Sequence, residues 1–67
     1  MDFEIETEQE ADGRWIAEVV EIPGALVYGV TRAEAVQKVQ ALAIRAMADK
    51  LDHAETSELN RVTFQAA

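Results

Sequence analysis

Every second residue at the start of the chain is acidic: Asp2, Glu4, Glu6, Glu8 and Glu10. Carboxylates that converge on Mg²⁺ from different elements make the metal centre of an RNase H-type nuclease. Here the alternation puts all five on one side of a single extended segment, with next neighbours about 7 Å apart by strand rise. At that spacing no more than two can share an ion. Glu18 and Glu21 are the only other acids expected on the same sheet, and they add no second cluster. The row reads as an acidic face, solvated or turned toward a basic partner, and a divalent-metal nuclease stands as the lesser alternative.

Other chemistry is sparse. His53 stands just past a helical stretch, where a cation interacts favourably with the helix dipole. A single histidine is too few for a His-based zinc site, and a chain without cysteine has neither a thiolate site nor a disulfide. No serine stands in a nucleophile motif. No catalytic residue, metal or cofactor is expected. Trp15 and Tyr28 can stack on bases, but two aromatics without basic neighbours make a weak nucleic-acid platform, and Trp15 reads as core. Thirteen acids against six bases give a net charge of −7. That charge repels phosphate backbones, so no direct DNA or RNA binding is expected. It keeps a small protein soluble and also suits a basic protein partner.

Sixty-seven residues make one domain, 1–67. A chain this short buries only about 60% of its unfolded surface, and association with itself or a partner is a common remedy. The acidic N-terminus is not a signal peptide and no run is apolar enough to span a bilayer, so no membrane association and a cytoplasmic location are expected.

The elements that position these residues follow from periodicity. Residues 2–10 alternate with Phe3, Ile5 and Thr7 on the other side from the acids, a strand pattern. Asp12-Gly13 signals a hairpin, because glycine accepts positive φ. A long second strand then runs to the Pro23-Gly24 corner, with Trp15, Ala17 and Val19 on one face and Ile16, Glu18 and Val20 on the other. Residues 25–30 read as a third strand. Its small face, Ala25, Val27 and Gly29, turns toward a helix, while Leu26, Tyr28 and Val30 turn away. Thr31 and Glu34 form a capping box for a helix from Arg32 to about Leu51. Its buried stripe includes Ala35, Val39, Ala43, Met47 and Leu51, and Glu34–Lys38 and Arg45–Asp49 are i,i+4 ion pairs. Residues 59–65 read as a last strand with Val62 and Phe64 inward, and Ala66 and Ala67 are expected to fray. The order β-β-β-α-β is an α+β layer of one sheet and one helix.

The run from Asp12 to Ala25 (DGRWIAEVVEIPGA) and the run from Gly29 to Ala35 (GVTRAEA) resemble the HicB antitoxin family. That family's pattern is roughly D-G-G-[YW]-[VI]-A-x-V-P-D-L-P-G-C, then G-x-T-x-x-E-A and an alanine-rich helix. The resemblance implies a partial RNase H-like fold, with one four-stranded, mostly antiparallel sheet in the order 3-2-1-4. It also implies neutralisation of HicA, a small basic mRNA-cleaving toxin. The chain departs from the pattern at Val20 and Glu21, where Pro-Asp is usual, and at Ala25, where Cys is common. No DNA-binding module follows Ala67, so operator binding is not expected.

One helix covers one sheet face. Ile16, Val20, Leu26, Tyr28 and Val30 on the far face, and Ile44 on a second weakly polar helix side with Gln37, Ala41 and Ala48, are therefore expected at an interface. Glu4, Glu6 and Glu18 are expected to contact a basic partner along an acidic sheet edge. The reading is a non-enzymatic interaction module of antitoxin type that occludes a HicA-like toxin. A stand-alone homo-oligomeric regulatory protein, a dimer or higher, is the alternative.

Overall fold

The alternation at the N-terminus becomes a strand because one side of it is apolar. In the computed structural model, which describes residues 1–66, this strand is β1 (Asp2–Gln9), with Phe3 and Ile5 buried and the acids exposed. Arg14 closes a three-residue connection, accepting from the Glu10 N–H at 2.7 Å, and Gly13 takes φ +92°. The chain returns antiparallel as β2 (Trp15–Val19), with Ile5 opposite Val19 and Gln9 opposite Trp15.

β2 ends at Val19, well short of the expected Pro-Gly corner. The Val19 N–H donates to Ala25 O at 2.9 Å, so residues 20–24 form the connection to β3 (Leu26–Gly29). Two interactions end the strand there. The Glu21 carboxylate accepts from the Glu4 N–H at 3.0 Å, taking the place of a ladder bond, and Ile22 folds inward and is buried. Ala25 N–H donates to Ile22 O across Pro23-Gly24, with Gly24 at φ +84°, so the corner is a turn of type II.

Helix α1 (Arg32–Asp52) starts where the cap predicts. Thr31 Oγ1 accepts from the Glu34 N–H at 3.1 Å. Glu34 reaches back one residue further than a capping box does, accepting from Val30 N–H at 3.3 Å, and also pairs with Lys38 at 3.0 Å. At the other end Asp49 Oδ1 lies 3.4 Å from His53 Nδ1, and the expected pairing with Arg45 does not form. Ala35, Val39, Ala43 and Met47 are buried, but Leu51 is 41% exposed, lining an open groove with Phe3 and Phe64.

β4 (Thr63–Ala66) lies parallel to β1, with Phe3 opposite Phe64. It is shorter than the expected 59–65, and it includes Ala66. Leu59 packs on the core before the strand begins, and Val62 faces inward as expected, lining the helix-side groove at 39% exposure. Ala67 lies outside the described residues. The sheet order is β3-β2-β1-β4, mostly antiparallel, and the fold is α+β. No helix among the described residues is long and apolar enough to cross a membrane.

The core lies between α1 and the inner face of β1 to β3: Phe3, Ile5, Ala17, Val19, Ile22, Ala25 and the four helix residues. Gly29 allows the closest approach. A Cβ there would sit 2.6 Å from the Ala35 backbone N.

Candidate protein-interaction face

The sheet face turned away from α1 is built by register. Glu8 lies opposite Ile16 and Ile16 opposite Tyr28, which makes one row across three strands. Glu6 lies opposite Glu18 and Glu18 opposite Leu26, which makes the next. Each row runs from a carboxylate on β1 to an apolar side chain on β3, with directly opposed Cβ atoms about 5 Å apart. The face therefore carries an acidic strip and an apolar strip side by side. Glu6, Glu8, Ile16, Glu18 and Leu26 line a depression of about 220 Å³.

Of the six expected interface residues, the structure brings Ile16, Leu26 and Tyr28 together on this face, Ile16 half-buried and the other two exposed. Val20 is exposed at the end of β2, where its N–H donates to Glu4 O at 3.1 Å. Val30 lies beyond β3 in the bend before α1 and is 74% exposed. Ile44, 55% exposed, sits on α1 across the sheet from the rest, so the six do not form one patch.

Glu4, Glu6 and Glu18 are all exposed on this face. They do not form an edge, however. β4 lies beside β1, as the expected order 3-2-1-4 requires, and makes it an interior strand. The acidic strip thus runs down the middle of the face, next to apolar surface.

Two features escaped sequence reasoning. Arg14 lies over the Tyr28 ring, 4.6 Å from its centroid, and pairs with Asp12 at 2.8 Å. Tyr28 thus has a basic neighbour after all, brought there because Trp15, next to Arg14 in the chain, pairs with Gly29, next to Tyr28. Asp12 accepts from both the Arg14 N–H and the Arg14 side chain, and these bonds hold its carboxyl below the usual aspartate range. The second feature is on the helix side. α1 packs on β2 and β3 and touches β1 only at its margin, which leaves an apolar groove over β1 and β4.

The row on β1 does not gather its carboxylate oxygens. Among the described residues the trio that does is Asp49, His53 and Glu55, within 4.8 Å of one another and all exposed. The end of α1 accounts for this grouping. His53 is the C-cap, its Nδ1 2.8 Å from Asp49 O, and Ala54 at φ +53° folds Glu55 back so that its N–H donates to Lys50 O.

Comparison of the chain with protein-family models, with curated proteins and with solved structures finds no match. The geometry defines an α+β fold with one sheet face left open.

Proposed function

We infer that this chain is a non-enzymatic, cytoplasmic interaction module, a HicB-like antitoxin that neutralises a small basic RNA-cleaving protein of the HicA type by covering its active surface. One observation carries the reading: the open sheet face presents carboxylates and apolar side chains in adjacent strips. A surface of that kind suits a basic protein whose own RNA-binding surface mixes cationic groups with exposed apolar area. The acidic strip steers the encounter through complementary potential. The apolar strip, Ile16, Leu26 and Tyr28, supplies the area that loses water on contact. Arg14, held by Asp12, keeps the Tyr28 ring in place for that contact. The sheet order implied by the HicB resemblance is the order the chain adopts, which supports the reading at the level of fold.

The test is an RNA-cleavage assay with a small basic RNA-cleaving protein of the HicA type. Equimolar wild type should suppress cleavage. Reversing Glu4, Glu6 and Glu18 to lysine should weaken suppression by at least tenfold and flatten its salt dependence. If the wild type neither binds nor suppresses that protein, the antitoxin reading is lost.

A further inference from the structure

α1 covers only half of the sheet face it packs on. The groove left over β1 and β4 has a volume of about 320 Å³ and is lined by Phe3, Ile44, Met47, Leu51, Val62 and Phe64 among others. The chain is spread out to match. Its radius of gyration is 12.6 Å, against about 11 Å for a compact domain of this length. Its surface is 4604 Å², against about 4200 Å² for a monomer of this mass. β4, which walls the groove, is also an edge strand.

We propose that a second copy of this chain pairs antiparallel with β4 about a twofold axis at Phe64. The two sheets then become one, and the two grooves meet side by side across the axis on its helix-bearing face. Backbone polarity places the axis. The Thr63 N–H donates to Met1 O at 2.9 Å. Alternation therefore turns Thr63 and Gln65 toward β1, and turns the N–H and C=O of Phe64 and the N–H of Ala66 to the open edge. A hydrogen-bonded antiparallel pair needs a residue that presents both groups to its partner, and on a twofold axis Phe64 meets its own copy. Thr63 then faces Gln65 of the second copy, and Val62 faces Ala66. No charged residue stands opposite another.

The same register keeps Phe64 on the groove side, already stacked on Phe3 with ring centroids 5.5 Å apart. Charge also favours this edge. The acidic strips on the two β1 strands lie three strand spacings apart, about 14 Å, well beyond the roughly 8 Å Debye length at physiological salt. Two copies meeting through their open sheet faces would instead press glutamates on glutamates. The edge at β3 has no groove beneath it, because α1 covers that side. The surplus surface, about 400 Å² per chain, is half of the roughly 800 Å² each partner gives to a standard interface. This pairing does not depend on the antitoxin reading, since it leaves the acidic face open.

The decisive experiment is amide hydrogen exchange on the wild-type chain across a hundredfold range of concentration, with sedimentation on the same samples. The Phe64 and Ala66 amides, which the β1 ladder does not use, should gain at least tenfold protection as the sedimenting mass rises from 7.4 kDa to twice that value. Ile44→Glu and Ala66→Pro should remain monomeric at concentrations where the wild type is dimeric. A wild type that stays monomeric throughout overturns the proposal. So does a dimer in which both amides exchange freely, or one abolished by Leu26→Glu but retained by Ile44→Glu.

Discussion

Single residues carry two kinds of tension in this fold. Glu34 holds the start of α1 by accepting from Lys38 and from the Val30 N–H, and these bonds, the one to Lys38 first, keep its carboxyl below the usual glutamate range. A folded-state pKa below the unfolded one adds stability that is fully present above the unfolded value and disappears as pH falls through the folded value. Glu34→Gln should therefore flatten the acid limb of the unfolding curve below about pH 4.5 and leave its neutral region nearly parallel to wild type, as urea titrations at stepped pH will show. Glu18 is the opposite case. It lies directly across from Glu6, and like charges in that position weaken a sheet. Glu18→Gln should raise stability by about 0.2–1 kcal/mol in urea unfolding while weakening suppression of the basic partner. A substitution that lowered stability would show that the opposed acids impose no strain.

Among the elements, the contact between β3 and α1 is the tightest. A Cβ on Gly29 would lie 2.6 Å from Ala35 N and 2.9 Å from its Cα, and backbone cannot swing aside as a side-chain tip can. Gly29→Ala should cost about 1–3 kcal/mol, read as a lower urea midpoint with unchanged slope; a neutral result would mean that the helix start shifts freely. The small inward face of β3 was legible in the sequence because it needs only local alternation. So were β1, the Thr31 cap and the Pro23-Gly24 turn, each written within a few residues. The early end of β2 was not, since it depends on Glu21 reaching Glu4, seventeen residues away. Neither was the Arg14–Tyr28 contact, which exists only once Trp15 has found Gly29. The interior position of β1 followed from the family resemblance and not from local pattern, since β4 returns beside it from some sixty residues away. Within the candidate site, facing was legible and neighbourhood was not: Ile16, Leu26 and Tyr28 were placed on one sheet face and Ile44 on a separate helix side, yet nothing local put Arg14 over Tyr28.

For the whole molecule, one helix is set off-centre on a four-stranded sheet, and each uncovered region has its own chemistry. The open sheet face is half acidic and half apolar. The groove beside α1 is apolar and ends at an uncharged edge strand. A single small domain thus has room for a basic partner on one side and a second copy at the other, without competition between them. The central claim is that the open face is where the proposed basic partner binds. Backbone and side-chain NMR shifts followed while a small basic protein of the HicA type is titrated in will test it most directly. The account predicts perturbations centred on Ile16, Glu18, Leu26 and Tyr28, fading at raised salt, with the exposed side of α1 unmoved. A footprint centred on α1, or no footprint at all, would contradict it.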